Sequence, residues 1–320
     1  MNILSSTRAL KLESPWFSII TCSYNRSHTL DNCYKAIREL RQPQDEYGNP
    51  VTFEWIIVDD GSTDDTAGKV EKWIKEDIIP IIYIYQPNKG KHVASNNGIS
   101  RARGYAVIEY DSDDIILPDA LLAMYNTWQS LPPEERQSIK GVTGRCIDSR
   151  NGKIIGKPVP YEPFIVSPQD MRFKFHIDGE MFGFTLRSIM LEHPYPVFDG
   201  STKFCPESIV IFEIGKRYRE AVINTPLRIY TIGNSDSITT GGSRNRAPQN
   251  YHLWKYEVNN LVSRYIFRSP VSMLKAVVGI SMDGFRTGRS IHTIIKDVTS
   301  MKMKLLVAAF IPAGYILSIR

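Results

Sequence analysis

Short apolar runs alternate with helical segments between residues 17 and 110, and this alternation restricts the fold more than any other feature of the chain. The runs are rich in β-branched residues and lie at 17–22, 53–58, 79–85 and 105–110. Nearly continuous apolar strands that alternate with helices are typical of a parallel sheet covered on both faces. We therefore predict an α/β fold with a mainly parallel sheet flanked by helices.

Polar residues follow three of these runs. Tyr24 and Asn25 follow the first, Asp59 and Asp60 the second, and the segment 111–114 (DSDD) the fourth. In open parallel sheets, ligands bind beyond the carboxyl ends of the strands. The sequence therefore predicts a ligand site where these three loops converge.

The segment 107–114 (VIEYDSDD) places three carboxylates, Asp111, Asp113 and Asp114, within four residues. Like charges this close repel by roughly 1 kcal/mol per pair in a watery dielectric. A divalent cation would remove that cost, and hard oxygen ligands suit Mg²⁺ or Mn²⁺. The alternative is a turn or a helix cap, to which Asp119 could also contribute. The chain has neither G-x-G-x-x-G after its first strand nor a P-loop motif, so the usual glycine-rich phosphate cradles are absent from the sequence.

The 320 residues suffice for one large domain with an appendage, or for two domains. The four cysteines are scattered, which argues against a zinc site or a disulfide framework and favours a reducing compartment. The amino-terminal segment lacks the features of a signal peptide. We expect a cytoplasmic protein.

Residues 244–320 carry twelve lysines and arginines against three acids, a balance of +9. The net charge of the whole chain is +5, so residues 1–243 carry −4. The apolar run 305–319 is interrupted by Pro312 and Gly314 and has 15 residues, fewer than the roughly 20 that span a bilayer. Basic amphipathic helices in this region are expected to lie on an anionic membrane surface; packing on the rest of the chain or a homo-oligomer contact is the alternative.

Four segments in order and spacing resemble the inverting family 2 glycosyltransferases of the GT-A fold. They are FSIITCSYNR (17–26), IIVDDGSTDDT (56–66), NKGKHVASNNGISRARG (88–104) and VIEYDSDD (107–114). The resemblance implies a GT-A sheet with a Rossmann-like nucleotide-binding half and a C-terminal, mostly helical extension. It also implies a nucleotide-sugar donor, most often UDP-linked, bound with Mn²⁺ or Mg²⁺.

The resemblance also implies roles for individual residues. Tyr24 matches the position that stacks on the base, Asp59 the position that accepts a hydrogen bond from a ring N–H, and Thr21 lines the same pocket. Lys91 matches a basic position near the donor phosphates. In the D-x-D motif, Asp113 matches the direct metal ligand, and Asp111 lies nearer the ribose and the waters of the metal. The alternatives are loop packing for Tyr24, a turn for Asp59 and a solvated side chain for Lys91.

Inverting transfer needs a carboxylate that takes the proton of the acceptor hydroxyl. Members of the family carry an acid pair about ninety residues after the D-x-D motif, and Glu207 falls there, although Ser208 replaces the second acid. Asp178 and Glu180 are the alternatives, and Glu207 could also be a structural first-turn acid of a helix.

We predict a catalytic domain at 14–240, with a nucleotide-sugar-binding half at 14–115 and an acceptor half at 116–240, followed by a basic helical region at 241–320. The loop 237–249 could order over a diphosphate through Arg244 or Arg246, or be a plain linker.

The expected activity is sugar transfer to a hydroxyl of a glycan or of a lipid-linked precursor in polysaccharide biosynthesis, without a nucleic-acid partner. The runner-up is a catalytically silent GT-A protein that recruits partners at a membrane surface. Nucleotidyl transfer is disfavoured because no glycine-rich loop follows the first strand.

Overall fold

The computed structural model describes residues 3–198, 202–233 and 244–319. The chain forms two compact units, and each is described by itself. The first unit contains Met1–Pro168, Ile177–Val197 and Glu213–Ile232, and the second contains Gln169–His176, Phe198–Phe212 and Gly233–Arg320. Most of the loop predicted at 237–249 lies outside the described residues, and the proposed domain boundaries stay predictions.

All described strands belong to the first unit. In chain order they are β1 (Ile3–Ser5), β2 (Phe17–Ser23), β3 (Phe53–Asp59), β4 (Ile81–Tyr85), β5 (Ala106–Glu109), β6 (Ile115–Ile116), β7 (Ile139–Asp148), β8 (Phe164–Val166), β9 (Met181–Gly183), β10 (Thr185–Leu186) and β11 (Arg219–Tyr230).

The larger sheet has the strand order β1-β4-β3-β2-β5-β10. Its four central strands run parallel, and the edge strands β1 and β10 run antiparallel to their neighbours. Every residue of β3 is buried, as expected for a strand covered on both faces. The predicted mainly parallel sheet is confirmed, and its four predicted strands are β2 to β5.

A second sheet has the order β6-β11-β7-β9, with β8 also paired to β11. After β7 the chain turns at residues 149–151, and a single bridge then joins Ile147 and Ile154. The register of β11 against β7 shifts at Pro226, which has no N–H to donate to the ladder.

Both units contain helices. They are α1 (Thr7–Lys11), α2 (Ser27–Arg38), α3 (Thr66–Glu76), α4 (Lys91–Arg101), α5 (Ala120–Ser130), α6 (Pro133–Arg136), α7 (Pro168–Phe173), α8 (Arg187–Glu192), α9 (Glu207–Ile214), α10 (Ala247–Asn260), α11 (Val262–Tyr265), α12 (Pro270–Arg286), α13 (Ile291–Lys296) and α14 (Met301–Ile319). Helix α4 packs closely on the sheet because Gly98 has no side chain: a Cβ there would lie 2.7 Å from a methyl of Ile20.

The second unit has its own apolar core, built mainly from α10 to α14. The sequence-based estimate that the terminal apolar run is too short to span a bilayer is corrected: α14 has 19 residues and continues through Pro312. By length and composition alone, α14 could cross a membrane. Gly314, taken as a break, faces α12 instead, where a Cβ would meet that of Ser281 at 2.5 Å.

The second unit buries the carboxylates of Glu257 on α10 and Asp283 on α12, and Glu257 has the larger pKa shift. The Glu257 side chain is 2% exposed, and burial raises its pKa from 4.5 to about 7, while the charge of Arg172 acts in the opposite direction. A carboxyl whose pKa is raised by folding favours the folded state at low pH, and this contribution is lost as the pH rises from about 4.5 through about 7.

We therefore expect Glu257→Gln to be more stable than the wild type at about pH 8, by up to about 3 kcal/mol, and to differ little at about pH 5. Thermal melting at both pH values measures this. Glu46→Gln, an exposed acid of the first unit, should keep the wild-type pH dependence. If Glu257→Gln keeps the wild-type pH dependence of stability, Glu257 is not the group responsible for it.

Candidate active site

The carboxyl ends of three parallel strands lie side by side in the first unit. Strand β2 is hydrogen-bonded to β3 on one side and to β5 on the other, with Ser23 opposite Asp59 and Ile20 opposite Glu109. The loops after these strands therefore form one rim, and the segment 111–114 follows β5 within it.

The backbone of the segment 111–114 is fixed from below by two buried side chains. The Tyr110 hydroxyl donates to the carbonyl of Asp114 at 2.7 Å, and the Cys33 thiol of α2 donates to the carbonyl of Ser112 at 3.1 Å. Burial raises the pKa of Cys33 to about 12, so the group remains a neutral thiol donor.

Basic side chains surround the aspartates. The Lys91 Nζ lies 2.6 Å from Asp111 Oδ1, and an Arg26 guanidinium nitrogen lies 3.6 Å from Asp113 Oδ2. The carboxylate cluster is therefore not bare. Part of the repulsion that was assigned to a divalent ion is already offset by the protein itself.

Arg228 of β11 contributes to this compensation at two of the aspartates. Its guanidinium lies 2.8 Å from Asp114 Oδ2 and 3.8 Å from Asp111 Oδ2, and its other terminal nitrogen donates to Glu180 Oε1 at 2.7 Å. The side chain is only 4% exposed and packs against the ring of Phe182 at 4.8 Å. Burial lowers the pKa of Arg228, but the surrounding carboxylates outweigh burial and hold the pKa above its ordinary value.

The environments of two aspartates shift their pKa values in opposite directions. Burial works to raise the pKa of Asp111, but Lys91 and Arg228 outweigh it, and the net shift is downward. Burial raises the pKa of Asp114 to about 7, against the opposing charge of Arg228. Asp111 is thus ionised at neutral pH and partly exposed to solvent, as a metal ligand should be. Asp114 is buried and pairs with Arg228 beneath the rim.

The carboxylate oxygens of the rim are the kind of ligand that a hard divalent cation prefers. Among residues 3–198, 202–233 and 244–319, no group of three or more His, Cys, Asp or Glu side chains is arranged to hold a metal. Mg²⁺ is typically bound through one or two carboxylates plus substrate phosphates and waters. Asp111 and Asp113 suit a site of that kind, which a diphosphate would complete.

Tyr24 is presented at the rim. Its side chain is 48% exposed and lies next to Asn25, whose φ of 53° is left-handed. The Asn25 side-chain oxygen accepts a hydrogen bond from the backbone N–H of Thr63, and the backbone N–H of Asn25 donates to Ser62 Oγ. Stacking of Tyr24 on a base stays a prediction.

Thr21 and Asp59 lie beneath the rim. The Thr21 hydroxyl accepts a hydrogen bond from the Trp55 indole, and the Asp59 carboxylate accepts bonds from the Tyr83 hydroxyl and from the N–H of Ser62. Both side chains are fully buried. Contact of either side chain with a donor stays a prediction and would require these internal bonds to rearrange.

Asp60 was not predicted as a site residue. Its carboxylate accepts the backbone N–H groups of Lys89 and Gly90 and the side-chain amide of Gln86. Asp60 therefore fixes the loop that delivers Lys91 to the rim. The repeated carboxylate in the pair Asp59-Asp60 was the available sequence signal.

The three carboxylates considered for the base lie in different settings. Glu180 is bound to Arg228 and so joins the rim network, and Asp178 is exposed two residues before it. Glu207 lies in the second unit, where it begins helix α9 as predicted.

The region that carries the rim is similar to a known family. A family model described as glycosyl transferase family 2 matches residues 18–151, which include the three rim loops and the segment 111–114. The chain is a glycosyltransferase that is similar to family 2 over residues 18–151.

Two relatives of similar sequence are named glycosyltransferases. The GalNAc(5)-diNAcBac-PP-undecaprenol beta-1,3-glucosyltransferase of Campylobacter jejuni is 27% identical over 236 residues, covering 72% of this chain and 69% of the relative. The putative teichuronic acid biosynthesis glycosyltransferase TuaG of Bacillus subtilis is 27% identical over 170 residues, covering 53% of this chain and 60% of the relative. The match to TuaG thus spans less than two-thirds of that protein.

Solved structures share the fold of the glycosyltransferase. S. aureus TarS in complex with UDP-GlcNAc aligns with a TM-score of 0.58 at 15% identity, covering 95% of this chain and 90% of that one. The mannosyltransferase PcManGT of Pyrobaculum calidifontis, in complex with GDP-Man and Mn²⁺, aligns with a TM-score of 0.52 at 16% identity, covering 98% and 83%. The predicted GT-A architecture with its helical C-terminal region is confirmed.

Proposed function

We propose that this glycosyltransferase is a metal-dependent, inverting enzyme that moves a sugar from a nucleoside diphosphate, UDP in the first instance, to a hydroxyl of a glycan or lipid-linked glycan precursor. The observation that carries the proposal is the rim, where Asp111 and Asp113 are positioned at the carboxyl ends of parallel strands. The UDP-GlcNAc complex of TarS and the lipid-linked precursor in the name of the C. jejuni relative support the donor and acceptor classes.

Asp111 and Asp113 would hold Mn²⁺ or Mg²⁺ together with the donor diphosphate. When bound, the ion acts as a Lewis acid that neutralises charge on the leaving diphosphate. Lys91 contributes positive charge at the same place, and its ammonium group can exchange Asp111 for a phosphate oxygen. Tyr24 stacks on the base, and Thr21 and Asp59 shape the floor beneath it.

The acceptor hydroxyl requires a base, and we assign this role to Glu207. The assignment rests on its position at the start of helix α9 and on its distance along the chain from the D-x-D motif. Glu180 is instead assigned to hold Arg228, because its carboxylate is already engaged by a charge-assisted hydrogen bond of 2.7 Å. Asp178 is the exposed alternative.

Glu207→Gln is expected to bind UDP as the wild type does and to lose about 10²- to 10⁴-fold in transfer, because general-base catalysis contributes that much. Release of UDP in the presence of an acceptor measures transfer, and isothermal titration measures UDP binding. Asp178→Asn serves as the matched control and should remain active. If Asp178→Asn is inactive and Glu207→Gln is active, the base is Asp178.

The function as a whole is tested by titrating the full chain with UDP in the presence and absence of Mn²⁺. The proposal expects tighter binding with the ion, because the diphosphate completes its coordination. Equal binding under both conditions would overturn metal dependence. No binding at all would favour the catalytically silent scaffold or a different donor, and a screen of nucleotide sugars for Mn²⁺-dependent hydrolysis separates those two cases.

We also propose a cytoplasmic enzyme that is peripheral on the membrane face where lipid-linked acceptors lie, with a homo-oligomer contact of the C-terminal helices as the alternative. The basic balance of residues 244–320 and the apolar length of α14 support this location.

A further inference from the structure

Helix α14 carries an exposed apolar stripe along one side. Its members are spaced three or four residues apart, as on one face of a helix, and are Met301, Leu305, Ala309, Pro312, Ile316 and Ile319. Leu305 is 67% exposed and Ile316 is 56% exposed. The stripe extends over the 19 residues of the helix, about 28 Å at 1.5 Å per residue.

Other positions of α14 contact α12. Gly314 lies against Ser281, the rings of Tyr315 and Phe285 are 5.4 Å apart, and the Arg286 guanidinium donates to the carbonyl of Leu317 at 3.1 Å. A helix that crossed a bilayer alone would have to give up these contacts. The geometry therefore favours a helix that stays packed on its unit and offers its exposed side, which contains the stripe, to a partner.

The exposed charges of helices α10 to α14 and their connections have one sign. None of the three acids on the described helices α10 to α14 and their connections is exposed: Glu257 and Asp283 are buried, and Asp297 is bound by Lys255 and Tyr251. The exposed charges of the same helices are basic, and they include Arg268, Lys275, Lys296 and Lys302. A surface with apolar and cationic groups and no exposed acid complements an anionic lipid bilayer.

We infer that the α14 stripe is the membrane-binding surface of this chain and that α14 lies in the plane of the interface, on the headgroups of an anionic bilayer. The inference rests on the peripheral location proposed above and names its surface and its lipid class. Leu305 and Ile316 insert among the acyl chains, and Lys302 and Lys304 contact the headgroups. The second unit is thereby held against the layer that contains lipid-linked acceptors.

The test is co-sedimentation of the full chain with vesicles of phosphatidylcholine mixed with phosphatidylglycerol, and with vesicles of phosphatidylcholine alone. The double variant Leu305→Asp/Ile316→Asp should lose roughly hundredfold in partitioning, because each buried apolar side chain contributes about tenfold or more. Lys302→Gln/Lys304→Gln should lose roughly thirtyfold on the anionic vesicles only, with a weaker dependence on salt. Tyr47→Asp, at an aromatic residue of the first unit that is 81% exposed, is the matched control and should bind as the wild type does.

Three results would overturn the inference. Unchanged sedimentation of Leu305→Asp/Ile316→Asp would remove the stripe as the bilayer contact. Conversion of a dimer to a monomer by this variant, with vesicle binding retained, would make a second copy of the chain the occupant of the stripe. Resistance of the vesicle-bound protein to alkaline extraction would mean that α14 spans the bilayer. UDP titration of each variant keeps the test separate from the proposed activity, because lost UDP binding with normal sedimentation counts against the activity alone.

Discussion

Replacing Asp113 with alanine is expected to abolish the dependence of UDP binding on Mn²⁺ and to lower turnover by roughly a thousandfold. A Lewis-acid ion contributes several kcal/mol to stabilising the charge of a leaving group, and each 1.36 kcal/mol is a factor of ten in rate. Asp113 lies on the rim beside Arg26, and its carboxylate is partly exposed. Turnover and isothermal titration of UDP with and without Mn²⁺ measure both effects.

The control for Asp113→Ala is Asp119→Asn, six residues further along the chain. Asp119 is ion-paired to Arg41 at 2.9 Å, and both side chains are well exposed. This pair contributes little to stability, so the variant should bind UDP and turn over as the wild type does. Wild-type turnover in Asp113→Ala would remove the D-x-D assignment. Loss of melting temperature in Asp113→Ala alone would mean that the residue is structural.

The central strands could be predicted from sequence because their side chains are buried on both faces. That burial imposes the unbroken apolar runs of β2 to β5, and polar residues begin where the strands end. The edge strands β1 and β10 have three and two residues, which is too short for any periodicity to appear. Their pairing partners, β4 and β5, are far away in sequence and leave no local signal.

The position of the rim could also be predicted, but its charge balance could not. The aspartates are adjacent in sequence, whereas the groups that balance them come from other elements: Lys91 from the start of α4, Arg26 from the loop after β2 and Arg228 from β11. A single sequence gives no measure of which cation reaches which carboxylate. The one available signal for Arg228 was a lone charge in an otherwise apolar stretch of strand.

Arg228→Met is the second variant with a large expected effect, because it leaves a buried carboxylate unpaired. Asp114 is only 1% exposed, and its carboxylate lies 2.8 Å from the guanidinium. Removing one partner of a buried ion pair costs about 3–5 kcal/mol of unfolding free energy, because Asp114, whose pKa burial already raises to about 7, must then stay buried as an unpaired charge or take up a proton. Glu180 and Asp111 lose the same cation, so we also expect weaker Mn²⁺-assisted UDP binding. Chemical denaturation and UDP titration measure the two effects.

The double variant Arg228→Met/Asp114→Asn distinguishes pairing from simple packing. If the cost arises from an unpaired charge, neutralising Asp114 should restore part of the lost stability, with a coupling of roughly 0.5–3 kcal/mol. Arg228→Lys keeps the charge but cannot reproduce the planar fork that reaches three carboxylates, so an intermediate loss is expected.

Arg103→Met is the matched control for Arg228→Met, because Arg103 pairs with the buried Glu54 at 2.6 Å, away from the segment 111–114. It should lower stability while leaving the effect of Mn²⁺ on UDP binding intact. The role of Arg228 in positioning the rim aspartates requires that Arg228→Met lose both stability and the effect of Mn²⁺ on UDP binding. A variant at 228 that is destabilised yet retains the full Mn²⁺ effect would reduce Arg228 to a structural residue of β11.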